Sequence, residues 1–114
     1  MGYYIMNYPE KTCSVERLIT VPADVEKVLE GKKTSTRRNG VYAYPGEIME
    51  LNGKEFKVDS LYQQSLGEVT EEHAHQEGFE NLDGYKQSIL DMHEGMKWIP
   101  TMKVWVHEFS PVKN

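Results

Sequence analysis

Four basic residues of the 114-residue chain fall within a window of seven positions: Lys32, Lys33, Arg37 and Arg38. Basic side chains that converge can hold a phosphate or a carboxylate through charge-assisted hydrogen bonds, so this cluster indicates a local anion site. Residues 68–94 have the opposite composition, with eight acids and one base. On charge counts alone, an anion site and two solvated surfaces of opposite sign remain equally open.

The histidines of the acidic segment raise the question of a metal site. On a helix, His73 and Glu77 share a face, whereas His75 points away from them. The chain has no H-E-x-x-H motif and no pair of cysteines, which are the patterns typical of zinc sites. We therefore expect no metal, and nothing in the sequence implies another cofactor.

Composition limits the protein to a few broad classes. With 39% hydrophobic residues, the chain can form one domain with a packed core. Its formal net charge of −5 argues against a protein that coats nucleic acid by bulk charge, although a local basic site remains open. The one cysteine, Cys13, is typical of a reducing compartment. Because no stretch is apolar enough to span a bilayer and residues 1–8 lack a signal-peptide pattern, we expect a cytoplasmic protein without a membrane partner.

Residue patterns divide the first part of the chain into strand, helix and strand. Residues 11–21 are rich in β-formers and predict a first strand. Pro22 suits the first turn of a helix, and apolar residues then recur at the spacing of one buried face until Gly31 ends the helix. The β-branched residues within 34–38 predict a second strand, which is followed by turns.

A hairpin is the clearest feature of the middle of the chain. Asn52-Gly53 favours a type I′ turn, so it predicts antiparallel strands at 47–51 and 54–61. Alternation over residues 102–109 predicts a long final strand, with Met102, Val104 and Val106 on one side and Lys103, Trp105 and His107 on the other.

Two short helices are predicted between these strands. Thr70 is a typical N-cap, and Gly78 ends the helix that it begins. Asn81 caps a second helix that runs to Gly95. The apolar face of the second helix would consist of Leu82, Tyr85, Ile89 and Met92.

The predicted elements sum to about five or six strands and two or three short helices. Strands outnumber helices and are separated by hairpins and short helical insertions. This pattern favours the α+β class, as one mostly antiparallel sheet or barrel in a single domain over residues 1–114.

Several segments resemble the ASCH domain family. Residues 29–38, LEGKKTSTRR, are similar to its G-[KR]-K-T turn and T-x-R strand, and residues 45–47, PGE, to its glycine-acid turn. Residues 70–77, TEEHAHQE, resemble its T-E-x-H-A-x-x-E helix, and residues 104–109, VWVHEF, its closing strand. The segments follow the order of the family, and the similarity leaves residues 1–24 uncovered.

The resemblance implies a PUA-like β-barrel with a cleft for RNA or modified nucleosides. Within the family, the chain is similar to small bacterial N(4)-acetylcytidine amidohydrolases, which carry a lysine, a threonine three residues later and a helical glutamate. These positions correspond to Lys33, Thr36 and Glu77. The resemblance therefore implies a hydrolase that removes the acetyl group from N(4)-acetylcytidine or a related modified nucleoside. Its partner would be that small molecule, or an RNA held in a local basic cleft.

In the mechanism that the resemblance suggests, Thr36 supplies the hydroxyl nucleophile and Lys33 its base. Lysine is a base only when neutral, so burial and neighbouring like charges must disfavour its ammonium form. Glu77 would move a proton or orient the cytosine edge. The candidates for contact with the substrate are Arg38, Lys32 and Thr34.

The strand periodicity sets a geometric condition for this mechanism. In a regular strand, residues 33 and 36 point to opposite faces, because side chains alternate. We therefore expect Lys33 to lie in a turn after Gly31, from which its side chain joins that of Thr36.

Each candidate also has a structural interpretation. Lys33 could complement the helix dipole, Thr36 could be a plain strand residue, Glu77 could be solvated, and Arg38 could form an ion pair. A non-catalytic module that binds RNA or a nucleotide-like ligand is then the alternative function.

Three tyrosines could pack in the core or stack on a base: Tyr42, Tyr44 and Tyr62. The sequence departs from the family pattern at Arg37, where an apolar residue is common.

Overall fold

The computed structural model describes residues 8–92, 95 and 97–113. Within them the chain forms four strands, three α-helices and two short 3-10 helices. The strands are β1 (Ser35–Arg38), β2 (Ile48–Leu51), β3 (Lys54–Ser65) and β4 (Lys103–Pro111). The α-helices are α1 (Pro22–Leu29), α2 (Glu71–Gln76) and α3 (Leu82–Met92), and the 3-10 helices are Val15–Arg17 and Leu66–Glu68.

The four strands form one antiparallel sheet in the order β1-β4-β3-β2. The sheet curls into a half-barrel. The predicted α+β, mostly antiparallel fold is therefore confirmed, with four strands in the described residues where the sequence indicated five or six. Strand β4 is the last element of the described chain, and it lies between β1 and β3.

The strand predicted over residues 11–21 is wrong. This segment contains a 3-10 turn at Val15–Arg17, and the consecutive residues Leu18 and Ile19 are both buried in the main core. A strand sends consecutive side chains to opposite faces. An irregular backbone is therefore needed to bury both residues in one cluster.

Helix α1 follows the prediction. Pro22 occupies its first turn, Val28 is buried in the main core, and Val25 and Leu29 pack beside it. Gly31 then adopts a φ of +78°, which glycine reaches without the steric cost that other residues carry. The chain turns here and enters β1.

The hairpin between β2 and β3 is confirmed. Asn52 and Gly53 have φ angles of 49° and 84°, and a type I′ turn needs positive φ at both positions. The hairpin contributes Met49, Leu51 and Phe56 to the main core. Strand β3 is longer than predicted, because it continues to Ser65.

A bulge interrupts β3. Val58 lies opposite Phe109 of β4, and the next paired residue, Ser60, lies opposite Glu108. Asp59 is therefore an extra residue without a partner on β4. An insertion of this kind shifts the side chains that follow it to the other face of the sheet.

The bulge reverses the alternation of β3. Phe56 and Val58 before it, and Leu61 after it, are all buried. Since 58 and 61 are an odd number of residues apart, they share a face only because of the bulge. The side chains that consequently face the other side of the sheet are Ser60, Tyr62 and Gln64.

Both predicted helix N-caps are confirmed. The Thr70 hydroxyl accepts a hydrogen bond from His73 N at the start of α2. Asn81 Oδ1 accepts one from Gly84 N, at 2.8 Å, at the start of α3. Gly78 ends the first of these helices with a φ of +91°.

The apolar face of α3 is confirmed except at its end. Tyr85 is buried, and Leu82 and Ile89 pack beside it in a second cluster with Val69 and Ala74. Met92, however, is 72% exposed, because it lies in the last turn of the helix. Gly95 has the positive φ expected beyond a helix end, while residues 93 and 94 lie outside the described residues.

Candidate functional site

One side of the sheet, which we call the polar face, carries a row of polar side chains. They are Ser35 and Arg37 of β1, Ser60, Tyr62 and Gln64 of β3, and Glu108 of β4. The strand register explains their common orientation, because Glu108 lies opposite both Ser35 and Ser60, and directly opposed residues of antiparallel strands share a face.

A buried carboxylate between two cations lies against the polar face. Glu77 Oε1 accepts a hydrogen bond from Lys33 Nζ at 3.0 Å, and Oε2 accepts one from Arg37 Nη1 at 2.7 Å. Lys33 Nζ also donates to the Glu77 backbone oxygen at 3.1 Å, and Ser35 Oγ lies 3.5 Å from Oε2. The three charged residues are only 3–7% exposed. Breaking a buried ion pair leaves an uncompensated charge, so the three residues depend on one another.

Two backbone features bring Glu77 to this position. Gly78 turns the chain at the end of α2, and a Cβ there would lie 2.9 Å from Lys27 Cδ. Thr34 N donates to Gln76 O at 2.7 Å, which fixes the start of β1 against the end of α2. The Thr34 side chain itself is exposed.

A second set of hydrogen bonds connects Arg37 to the beginning of α2. Arg37 Nε donates to Gln64 Oε1 at 3.0 Å, and Gln64 Nε2 lies 3.5 Å from both Glu68 O and His73 Nδ1. His73 Nδ1 accepts a hydrogen bond from Thr70 N at 3.0 Å. The cap of α2 and the position of Arg37 are therefore linked through one glutamine.

Arg37 retains one unused donor. Its Nη2 is buried and has no acceptor among the described residues. A buried donor without a partner costs about 1–3 kcal/mol. An acceptor on a water molecule or a ligand would relieve this cost.

Hydroxyl groups, rather than cations, hold Glu108. Ser60 Oγ donates to Oε1 at 2.5 Å, and Tyr62 OH donates to Oε2 at 3.3 Å. No ion pair to Glu108 occurs in the described part of the chain. Burial, and then the charge of Glu108, raise the pKa of Tyr62, so its phenol remains a protonated donor at neutral pH.

Thr36 is not part of this cluster. It lies opposite His107 in the register of β1 and β4, whereas its neighbour Ser35 lies opposite Glu108. The Thr36 side chain therefore faces the other side of the sheet, where it is 1% exposed. The expectation that Lys33 would join Thr36 is wrong: the lysine leaves the turn on the side of Ser35.

The side of the sheet that Thr36 faces is closed. His107 is completely buried there, and its Nε2 accepts a hydrogen bond from Tyr42 N at 3.1 Å. Burial lowers the pKa of His107 to about 4, so the imidazole is neutral at pH 7. Tyr42 packs edge-on against this ring, which is the structural role foreseen for it.

The four clustered bases do not converge on one anion site. Lys33 and Arg37 pair with Glu77. Arg38 donates to two backbone carbonyls at 2.6 and 2.9 Å, and Lys32 is exposed. Of the three predicted substrate contacts, Lys32 and Thr34 are thus on the surface, and Arg38 is bound to the backbone.

The other ion pairs within residues 8–92, 95 and 97–113 each join one basic side chain to one carboxylate, and none of them is buried. No three His, Cys, Asp or Glu side chains come close enough in this part of the chain to hold a metal ion. Two surface pockets lie beside α1, one next to the turn at 78–80 and the other next to the β2–β3 hairpin. None of the described helices is both long and apolar enough to cross a membrane.

The cluster has the groups that amide cleavage needs. Lys33 and Arg37 can stabilise an oxyanion that forms when a carbonyl is attacked, and Glu77 can accept a proton from a hydroxyl. Lys33 Nζ donates to both the side chain and the backbone oxygen of Glu77. It is therefore placed as a cation that stabilises negative charge, rather than as a base.

Four residues of the polar face were not predicted from the sequence: Ser35, Ser60, Gln64 and Glu108. Strand alternation starting from Lys33 would have found Ser35, because residues 33, 35 and 37 share a face. The two β3 residues had no usable signal, since their orientation depends on a bulge.

Two solved structures are similar to this fold. The first is an ASCH domain from Lactobacillus crispatus, with a TM-score of 0.66 and 13% identity over 78% of this chain and 70% of that one. The second is a protein from Enterococcus faecalis described as DUF984, with a TM-score of 0.54 and 18% identity over 77% of this chain and 66% of that one. No protein-family model matches the sequence, and no curated protein matches it closely. The chain has an ASCH-like fold.

Proposed function

We propose that the protein is a hydrolase that removes the acetyl group from N(4)-acetylcytidine or a related modified nucleoside. The observation that carries this proposal is the buried Glu77 carboxylate, which is bound by Lys33 and Arg37 and lies beside the Ser35 hydroxyl. The ASCH-like fold supports it, as does the resemblance of the segments that supply Lys33 and Glu77.

In the reaction we propose, Ser35 takes the part that the resemblance gave to Thr36. The Ser35 hydroxyl attacks the acetyl carbonyl and its proton passes to Glu77, while Lys33 and Arg37 stabilise the oxyanion. Glu77 then gives the proton to the exocyclic nitrogen as the C–N bond breaks and cytidine leaves. Water hydrolyses the acetyl ester on Ser35, which releases acetate.

Neighbouring residues on opposite faces of β1 provide a matched test. Ser35→Ala should lower the rate of cytidine release from N(4)-acetylcytidine by at least about 100-fold, because the nucleophile is lost. Thr36→Val keeps the shape of the side chain and should stay within about 3-fold of the wild type, since that side chain contributes no reacting group. Chromatography of the nucleosides measures both rates.

Circular dichroism and thermal unfolding show whether both variants remain folded. A folded, inactive Thr36→Val together with an active Ser35→Ala would place the nucleophile on the other face and refute the Ser35 mechanism. Failure of the wild-type protein to release cytidine would refute the hydrolase itself.

A non-catalytic nucleoside-binding module is the second candidate function. The observation that favours it is the engagement of Lys33, whose ammonium already has two acceptors, the side chain and backbone of Glu77. A module of this kind would be thermally stabilised by N(4)-acetylcytidine while no product forms. Because the bases diverge and the net charge is −5, any affinity for RNA should depend only weakly on salt concentration.

A further inference from the structure

Glu108 is a carboxylate that the proposed reaction does not use. It lies on the same face as Ser35 and Arg37, but its two hydrogen-bond partners are the neutral hydroxyls of Ser60 and Tyr62. The residue is half-buried rather than enclosed in the core. It is therefore an oriented acceptor whose charge is not neutralised by any cation of the described residues.

Arg37 supplies the complementary group. Its Nη2 is a buried donor that has no acceptor within residues 8–92, 95 and 97–113. Arg37 lies opposite Val106 on β4, and Glu108 is two positions further along that strand. Such diagonal neighbours have Cα atoms roughly 7–8 Å apart. The two residues are therefore diagonal neighbours in the register of β1 and β4, one with an unused donor and the other with a carboxylate acceptor.

We propose that Glu108 is a specificity-determining residue: its carboxylate accepts a hydrogen bond from the N–H on the exocyclic nitrogen of a cytosine-type base. This inference rests on the proposed function, because it assigns the base to the same site. The site then takes cytosine derivatives and rejects uracil derivatives, which carry a carbonyl oxygen where cytosine carries N–H. Arg37 Nη2 donates to a carbonyl oxygen of the same ligand.

The fixed position of the carboxylate is what gives it selectivity. Ser60 and Tyr62 donate to different oxygens of Glu108, so the group is oriented before a ligand arrives. With uracil bound, the carboxylate and the uracil carbonyl oxygen would face each other, and neither acceptor would have a donor. Leaving a buried acceptor unpaired costs more free energy than a good hydrogen bond contributes. Discrimination of about ten- to 100-fold is expected from one charge-assisted contact.

Binding of the product nucleosides tests this role without requiring turnover. By isothermal titration calorimetry, the wild-type protein should bind cytidine about ten- to 100-fold more tightly than uridine. Glu108→Gln should reduce this preference to within about 3-fold or reverse it, because the glutamine amide can donate to the uracil oxygen. Glu50→Gln, on the exposed side of β2, is the matched control and should keep the wild-type preference.

Two further variants separate selectivity from a purely structural role. Tyr62→Phe and Ser60→Ala each remove one donor to Glu108, so each should weaken the preference for cytidine partially. If Glu108 only ties β3 to β4, these variants and Glu108→Gln would lower the melting temperature and leave the cytidine-to-uridine ratio unchanged. That result would refute the proposal.

The same proteins, assayed with N(4)-acetylcytidine, distinguish this inference from the hydrolase. Turnover by the wild type, combined with an unchanged preference in Glu108→Gln, would refute the role of Glu108 and leave the hydrolase standing. A preference for cytidine that is lost in Glu108→Gln, without any turnover, would support the role of Glu108 and refute the hydrolase. A wild-type protein that binds neither nucleoside would refute the role of Glu108, and one that also fails to release cytidine from N(4)-acetylcytidine would refute both.

Discussion

Glu77 balances the charge of the candidate site, because both buried cations beside it pair with its carboxylate. Glu77 pairs with Lys33 from 44 positions away, and the resemblance of two short motifs was enough to select both. Thr36 came from the same motif, yet it faces the opposite side of the sheet. The motif specifies residue types and spacing, whereas the face depends on how the strand pairs with β4. Pairing is a long-range property that the motif does not contain.

His107 leads to a prediction of pH dependence. Its pKa is about 4 in the folded protein, against 6.5 for an unperturbed histidine. Between these values the unfolded chain binds a proton that the folded protein does not. The free energy of unfolding should therefore fall as the pH is lowered from about 6.5 to about 4, by up to roughly 3 kcal/mol.

Urea denaturation at several pH values measures this effect. His107→Gln keeps an acceptor for Tyr42 N but does not titrate, so its stability should fall less over the same range. Carboxylates that titrate below pH 5 contribute to both proteins and cancel in the comparison. Parallel curves for the two proteins would contradict the prediction.

At the scale of the elements, the bulge at Asp59 determines the composition of the polar face. Helices and turns with strong local signals, such as the capped start of α2 and the Asn52-Gly53 hairpin, were predictable because their causes lie within a few residues. The bulge has no comparable signal in the sequence. It follows from the pairing of β3 with β4, in which Val58 lies opposite Phe109 on one face and Ser60 lies opposite Glu108 on the other. The β3 half of the candidate site was therefore outside the reach of sequence reasoning.

Deleting Asp59 should damage the protein far more than replacing it. Without the extra residue, Leu61 would leave the buried side, or the pairing of β3 with β4 would have to shift. We expect the deletion to cost at least about 2–5 kcal/mol, the range for losing a buried leucine contact. Asp59→Ala leaves the residue count and the register unchanged at an exposed position, and should stay within about 0.5 kcal/mol of the wild type.

Chemical denaturation of the two variants measures the difference. A deletion variant as stable as Asp59→Ala would mean that the pairing of β3 does not depend on the extra residue. The cytidine preference gives a second measurement, because a shifted register would also move Ser60 and Tyr62 away from Glu108.

At the scale of the whole molecule, the segment that precedes α1 is part of the core. The fold class followed from the sequence because hairpin signals and strand alternation are local. The role of residues 11–19 did not follow from the sequence. A composition rich in β-formers does not show whether two neighbouring apolar side chains point to opposite sides or pack into the same cluster. Leu18 and Ile19 pack with residues from both β2 and β4, such as Met49 and Phe109.

This packing predicts a large effect of Leu18→Ala. Leu18 is completely buried, and truncation of a buried leucine costs about 2–5 kcal/mol. Val21→Ala is the control, because Val21 is 48% exposed and should change stability by less than about 1 kcal/mol. Thermal and urea unfolding measure both. Similar, small effects would indicate that this segment does not contribute to the core.

The central position of β4 has a consequence for the order of events during synthesis. A ribosome makes β1 and β3 well before it makes β4, the strand that lies between them. For much of translation, the edges of β1 and β3 that will pair with β4 therefore have no partner. Neither half of the polar face can reach its final arrangement until residue 111 has emerged from the exit tunnel. The nascent chain must therefore keep its apolar segments from associating with other molecules until this last strand inserts.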